Sequence, residues 1–190
     1  MNAHQIVAQK NAEYTQYIHN HVKNVEEAWK RLQTIFPNEI FVTDSKINKA
    51  ISERIKQHDS SKFSDEEFGP YRRFFYPISR EEKKEAYNDF QAAWKLHYKR
   101  NDHHWEHWIA PAQQLGINEN NINIQDFQNT IILERGDKRI ESLIEMICDW
   151  IAMGMNFGNT AKEYFDKNKE KIRLIPSDRE FVESILNRMN

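Results

Sequence analysis

The stretch LIEMICDWIAMGM, residues 143–155, is apolar or small at every position except Glu145 and Asp149. A helix that is hydrophobic on nearly all sides is buried, so we expect a central helix over residues 137–156 of an all-α domain. Glu145 and Asp149 are four residues apart and therefore share one helix face. Buried charges need a cation or hydrogen-bond donors, because leaving them unpaired is costly. An Arg or Lys partner would satisfy them, but the apolar surroundings favour a metal site.

A second candidate for metal binding is His58-Asp59-Ser60-Ser61-Lys62, which follows a helical pattern over residues 46–57. At a helix end, adjacent His and Asp side chains can both turn toward one point. Neutral imidazole and ionised carboxylate together suit a borderline or hard divalent cation. Lys62 adds a mobile positive charge that could hold a phosphate oxygen.

The other histidines also cluster in a few short blocks, and His4 alone lies apart from them. His21 lies on the margin of the apolar stripe of a first helix that ends before Pro37, whereas His19 points away from that stripe. His97 lies on the apolar face of a helix predicted over residues 80–100. We therefore expect His21 and His97 to face the interior.

The block NDHHWEHW, residues 101–108, carries three imidazoles and allows two conformations. In a continued helix, His103 and His107 would share a face and could bind one metal ion. In a turn, which Asn101-Asp102 favours, the adjacent His103 and His104 could converge instead. His107 would then lie on the surface or hydrogen-bond a ligand.

At these residues the chain resembles the HD-domain metal-dependent phosphohydrolases. His21, His58-Asp59 and Asp149 stand in the order of that superfamily's ligands, and residues 58–62 resemble its His-Asp-x-Gly-Lys motif with Ser61 in place of Gly. The blocks HVKNV, HDSSKFSDEEF, HYKRNDHHWEHW and EMICDWIAM are similar to those of an uncharacterised bacterial and phage family assigned to the HD-like group.

The resemblance implies a helical bundle of five to seven helices spanning residues 1–190 and a divalent metal centre. It implies one ion held by His21, His58, Asp59 and Asp149, and a second held by His103 and His104, with His97 as a further candidate and Asp59 as the bridge. The ion is Mn, Fe, Zn, Mg, Co or Ni, and its identity is open. Lys62 would position a phosphate, and Glu145 would accept a proton from a ligand imidazole or from water.

Other side chains are candidates for binding the substrate or orienting a ligand. Glu67 would orient a ligand histidine, Asn101 continues the inward stripe that ends at His97, and Arg72 and Arg73 lie in an aromatic cluster that could flank a nucleotide. We also expect Phe41-Val42 to be extended, Gly69-Pro70 to interrupt a helix, and residues 122–124 and 130–133 to form a short β-hairpin.

Composition limits the classes of function. The formal net charge is −2 and charged residues of both signs alternate, so no extended nucleic-acid surface is expected. One cysteine, no leader-like segment and no long apolar run predict a cytoplasmic chain that does not cross a membrane. The expected partner is a small phosphate ester of the nucleotide class, and a homo-oligomer stays open. The alternatives to an enzyme are a module that binds nucleotides without hydrolysis and a metal-stabilised structural protein.

Overall fold

The computed structural model describes residues 2–108 and 138–189. The predicted all-α class is confirmed, and the described residues contain no β-strand. The α-helices are α1 (Ala3–Ile35), α2 (Ile40–Thr43), α3 (Ser45–Lys56), α4 (Asp65–Phe75), α5 (Arg80–Glu85), α6 (Tyr87–Arg100), α7 (Arg139–Phe157), α8 (Ala161–Asn168) and α9 (Pro176–Arg188). A 3₁₀-helix covers Ser60–Phe63, and residues 105–108 are also helical.

The prediction of five to seven helices is wrong, because the described ranges alone contain nine α-helices. Two of the additional helices are short. Phe41 and Val42, which we expected to be extended, lie in α2, where burial of Phe41 in the core outweighs the β propensity of both residues. The segment predicted as one helix over residues 80–100 divides at Ala86 into α5 and α6.

Helix α7 is the centre of the fold, as its apolar run predicts. It packs against α1, α3, α8 and α9. Leu143, Ile144 and Ile147 are completely buried, together with Cys148 and Ala152. Burial around most of its circumference explains why this helix lacks the polar stripe of a surface helix.

Helix α1 contributes to two hydrophobic clusters. Val25, Leu32 and neighbouring residues join the main core with α7, whereas Tyr14 and Ile18 join a smaller aromatic cluster with α4 and α6. His21 lies between these two groups along the buried face of α1. The metal-ligand candidates of α1, α6 and α7 therefore meet where the two clusters adjoin.

The expected interruption at Gly69-Pro70 is wrong, because α4 continues through Pro70 to Phe75. A proline inside a helix costs about 3 kcal/mol or more. Here the continued helix places Phe68 and Tyr71 in the aromatic cluster, and this packing offsets the cost. The predicted hairpin of residues 122–124 and 130–133 lies outside the described residues. In the described ranges, no helix combines the length and the apolar character needed to span a bilayer.

Candidate metal centre

The backbone leaves helical geometry before Asp59, and two adjacent side chains there enter the interior. Helix α3 ends at Lys56, and Asp59 adopts the left-handed conformation, with φ 59° and ψ 15°. Ile51 and Ile55 bury one face of α3 and so hold its C-terminal end against the core. His58 and Asp59 are both buried. A non-glycine residue in this region of φ/ψ space is strained, and such strain is common at functional sites.

The first group of candidate ligands, which we call the open cluster, consists of His21, His58, Asp149 and Oδ2 of Asp59. His21 Nε2 lies 3.3 Å from His58 Nε2 and 3.0 Å from Asp149 Oδ1. Asp59 Oδ2 lies 3.5 Å from each of the two Nε2 atoms. Helices α1 and α7 and the end of α3 thus bring together the four residues that the sequence order suggested.

The second group, which we call the buried cluster, consists of His97, His103, His104 and Oδ1 of Asp59. Its four potential ligand atoms lie within 4.8 Å of one another. His97 Nε2 is 3.1 Å and His103 Nε2 is 3.8 Å from Asp59 Oδ1. Asp59 therefore presents one carboxylate oxygen to each cluster.

The conformation of residues 101–104 decides which histidines converge. Helix α6 ends at Arg100, and residues 102–104 form a turn and a bend before the next helical residues. This turn brings His103 and His104 together, whereas His107 donates from Nδ1 to the carbonyl of Tyr98 at 3.0 Å. His107 is therefore not among the ligand groups of the described residues.

Buried polar atoms that lack a well-aligned hydrogen bond indicate whether these residues fit a metal ion. Asp59 Oδ1 and the Nε2 atoms of His97, His103 and His104 are all buried and form no well-aligned hydrogen bond, although His97 Nε2 approaches Asp59 Oδ1 to 3.1 Å. Buried polar atoms are nearly always paired, so four convergent exceptions require an explanation. Imidazole nitrogen and carboxylate oxygen are the donor types that bind Zn, Mn, Fe, Co and Ni. The donor set of the buried cluster therefore fits a divalent cation.

Two glutamates fix the tautomers of the ligand histidines. His97 Nδ1 donates to Glu67 at 2.8 Å, and His58 Nδ1 donates to Glu145 at 2.9 Å. His103 Nδ1 lies 3.1 Å from the same Glu145 oxygen. With one proton held at Nδ1, Nε2 is the nitrogen that faces a metal, and a bound metal takes the place of any proton on it, which is the usual arrangement of histidine ligands.

Arg54 is a part of the centre that sequence reasoning missed. Its Nε donates to Glu145 Oε2 at 2.8 Å, and its guanidinium also pairs with Asp102. Glu145 thus has both an imidazole and an arginine partner, the two alternatives left open by the sequence. The spacing of the two residues could have indicated this. Arg54 precedes His58 by four residues, so the two side chains lie on the same side of the C-terminal end of α3.

Lys62 adjoins the open cluster. Its Nζ lies 2.6 Å from Asp59 Oδ2. Burial opposes the charged form of both groups, yet Asp59 raises the pKa of Lys62, while Lys62 and His58 hold the pKa of Asp59 well below its ordinary value. The side chains of Lys62 and Asp149 are 16% and 15% exposed, so the open cluster reaches solvent at this edge.

The ligand histidines differ in protonation in the absence of a metal. Burial disfavours a charged His97, but Asp59 and Glu67 raise its pKa. Burial disfavours a charged His58, but Asp59, Asp149 and Glu145 raise its pKa to about 10. Burial, together with neighbouring His103 and His97, lowers the pKa of His104 well below its ordinary value. His104 is therefore neutral at neutral pH, the form that binds metals.

The remaining predicted residues divide into two groups. Asn101 lies at the centre, where its amide donates to Ser61 Oγ at 2.9 Å and to the carbonyl of His97 at 2.8 Å. Arg72 instead forms two hydrogen bonds to Glu82, and Arg73 pairs with Asp89. These ion pairs join the two arginines to α5 and α6, and their role in binding a phosphate stays a prediction.

Glu106 is a second residue that the sequence did not indicate. Its Oε2 is buried without a hydrogen-bond partner. Burial raises the pKa of Glu106 to about 7, and the nearby charge of Asp149 adds to this effect. Glu106 is therefore a carboxyl group that is partly protonated at neutral pH and whose pKa responds to the charge of Asp149.

Comparison with protein families places the chain in one of them. Residues 10–188 match a family of unknown function, DUF5662. The chain belongs to DUF5662. Every candidate ligand of this DUF5662 chain, from His21 to Asp149, lies within the matched span. Neither a curated protein nor a solved structure matches the chain significantly.

Proposed function

We propose that this chain is a cytoplasmic metal-dependent phosphohydrolase of the HD-like type, acting on a phosphomonoester or phosphodiester of a nucleotide. The observation that carries the proposal is the position of Asp59, whose two oxygens face two sets of imidazole and carboxylate donors. Glu67 and Glu145 hold ligand histidines in the metal-binding tautomer. Hydrogen bonds that orient the ligand histidines are typical of metal centres and are absent from surface clusters of acidic residues.

The metal ion and the side chains would contribute separately to catalysis. A divalent ion, when bound, activates water and neutralises charge on a phosphoryl oxygen. Lys62 adds a positive charge at the solvent-exposed edge of the open cluster, where a phosphate would enter. Glu145 holds the proton of His58 at Nδ1, so that Nε2 stays available as a ligand.

The proposal is tested by measuring hydrolysis across metals and nucleotides. The metal-free chain is reloaded separately with Mn²⁺, Fe²⁺, Co²⁺, Ni²⁺, Zn²⁺ or Mg²⁺ and incubated with nucleoside monophosphates, cyclic nucleotides and dinucleotides. Chromatography of the products should show metal-dependent phosphate-ester cleavage. Asp59→Asn should abolish it, whereas Asp65→Asn, an exposed carboxylate in α4, should leave it unchanged.

Two other outcomes would replace the proposal. A nucleotide that binds the metal-loaded chain but is recovered intact with every metal identifies a binding module. A metal that raises the melting temperature, with no nucleotide changing it further, identifies a structural metal protein. Metal-independent hydrolysis retained by Asp59→Asn would contradict the proposed mechanism.

A further inference from the structure

We infer that the two clusters have different roles: the buried cluster is a closed, four-ligand site for a tetrahedral cation such as Zn²⁺, and the open cluster alone exchanges ligands with solvent. The inference rests on the metal centre in the proposed function. It goes beyond that function because it assigns coordination, metal type and role to each position separately.

The first observation is the enclosure of the donors. Asp59 Oδ1 and the Nε2 atoms of His97, His103 and His104 are each shielded from solvent and form no well-aligned hydrogen bond among the described residues, although His97 Nε2 lies 3.1 Å from Asp59 Oδ1. The His97 side chain is fully buried, and His103 and Asp59 are nearly so; His104 is partly exposed as a residue, although its Nε2 atom is shielded. A cation here would meet four protein donors, with no solvent-exposed donor among them. Four protein ligands and no open position are typical of structural zinc sites.

The second observation is the spacing of the donors. Bonds of about 2.0–2.1 Å in a tetrahedron separate neighbouring donor atoms by roughly 3.4 Å. The observed separations from Asp59 Oδ1 are 3.1 Å to His97 Nε2 and 3.8 Å to His103 Nε2. These two distances lie on either side of the tetrahedral value, and all four donor atoms lie within 4.8 Å of one another, so the donors would close up around a bound ion. Three imidazoles with one carboxylate suit Zn²⁺ or Co²⁺ better than Mg²⁺, which prefers six oxygen ligands.

The third observation is the support behind the ligands of the buried cluster. Glu67 Oε2 holds His97 Nδ1 at 2.8 Å, and Ser61 Oγ lies 3.0 Å from the same Glu67 oxygen. Glu145 holds His103 from the opposite side, and Arg54 in turn holds Glu145. Ligands that are oriented before the metal arrives bind it tightly, because less side-chain freedom is lost on binding.

The open cluster differs in its access to solvent and in its contact with a lysine. Asp59 Oδ2 is shared with Lys62 at 2.6 Å. Asp149 and Lys62 are the partly exposed members, so water or a phosphate can approach at this edge. A catalytic metal site keeps such an open coordination position.

Cobalt titration of the metal-free full chain distinguishes the two roles without relying on activity. Tetrahedral Co²⁺ absorbs visible light much more strongly than five- or six-coordinate Co²⁺. The first equivalent should give intense bands and raise the melting temperature, and azide should not change these bands. The second equivalent should add weaker bands that azide or inorganic phosphate does change. One equivalent of Zn²⁺ should displace the intense bands first.

Variants of single ligands assign the bands to the clusters. Asp149→Asn alters only the open cluster, so it should keep the intense, azide-resistant bands and lose the azide-sensitive ones. His104→Ala should lose the intense bands. If His104→Ala fails to fold, the azide test on Asp149→Asn still shows whether the intense bands belong to the buried cluster.

Three results would overturn the inference: weak bands at the first equivalent, intense bands that azide alters, or loss of those bands in Asp149→Asn. Any of these, with metal-dependent hydrolysis intact, would reject the closed site and leave the proposed function standing. A chain that binds no cobalt would reject both. A chain with intense, azide-resistant bands but no hydrolysis would keep the closed site and reject the enzyme.

Discussion

Oε1 of Glu145 lies 2.9 Å from Nδ1 of His58, and the same oxygen lies 3.1 Å from Nδ1 of His103. His58 belongs to the open cluster and His103 to the buried cluster. One carboxylate oxygen on the central helix α7 therefore holds a ligand histidine of each cluster. Asp59 links the two clusters through its potential metal-binding oxygens. Glu145 links them through the Nδ1 atoms of their histidines.

Because of this shared role, Glu145→Gln should weaken both metal positions. An amide cannot accept from two imidazoles and an arginine as a carboxylate does, so the histidines lose their fixed tautomer and orientation. Loss of such a supporting partner typically lowers metal affinity about 10- to 100-fold. Competition with a chelator measures this. Glu141→Gln, in the first turn of the same helix, is the matched control and should bind metal like the wild type.

Lys62→Met should separate metal binding from catalysis. In the metal-free chain the variant leaves Asp59 buried without its ammonium partner, which costs about 3–5 kcal/mol of unfolding free energy. A divalent ion would replace that lost charge, so the metal-induced rise in melting temperature should exceed that of the wild type. Hydrolysis should nevertheless fall, because the phosphate loses its cation.

Calorimetric melting with and without Zn²⁺, beside a hydrolysis assay, measures these effects. Lys56→Met, at an exposed position in the last turn of α3, should change neither quantity. An equal metal-induced shift in Lys62→Met and the wild type would show that Lys62 does not compete with the ion for Asp59.

Ser61 should act through His97. Its hydroxyl lies 3.0 Å from Glu67 Oε2 and accepts from Asn101 at 2.9 Å. Ser61→Ala removes both contacts and should cost about 1–2 kcal/mol of stability. Zinc affinity of the buried cluster should fall about tenfold, while the open cluster stays unchanged. Ser61→Thr keeps the hydroxyl and should restore zinc affinity; failure of this rescue would assign Ser61 a packing role only.

The pH dependence of the unfolding free energy should reveal the titration of Glu106. Its pKa rises from 4.5 to about 7 on folding because of burial, so the folded chain binds more protons than the unfolded chain between these values. Stability therefore falls as pH rises through this window, by at most about 3 kcal/mol. In the metal-free chain, Glu106→Gln should match the wild type near pH 4.5 and be more stable above pH 7. The exposed Glu85→Gln should show no such divergence.

Several features of the centre could be predicted from sequence because they depend on periodicity. The apolar run of residues 143–155 indicated a buried helix, and the spacing of Glu145 and Asp149 placed both carboxylates on one face. The apolar stripes of the first helix and of residues 80–100 put His21 and His97 inside. Asn101-Asp102 indicated the break that lets His103 and His104 converge.

Other features depend on contacts between distant residues, which periodicity does not determine. The Arg54–Glu145 and Arg72–Glu82 pairs, and the Ser61–Glu67–His97 network, each join helices whose relative placement is set by packing. The continuity of α4 through Pro70 has the same origin, because tertiary contacts of Tyr71 and Phe68 outweigh a local preference. Sequence therefore indicated which ligands face the interior but not what holds them.

We expect His21, His58, Asp59 and Asp149 to meet around one cation. Anomalous diffraction at the metal edge, from crystals loaded with Mn²⁺ or Co²⁺, locates that cation. A peak is expected within bonding distance of His21 Nε2, His58 Nε2, Asp59 Oδ2 and Asp149 Oδ1, with Lys62 displaced from Asp59. Loaded crystals with no peak between these four atoms, and with Lys62 still paired to Asp59, would rule out a shared cation.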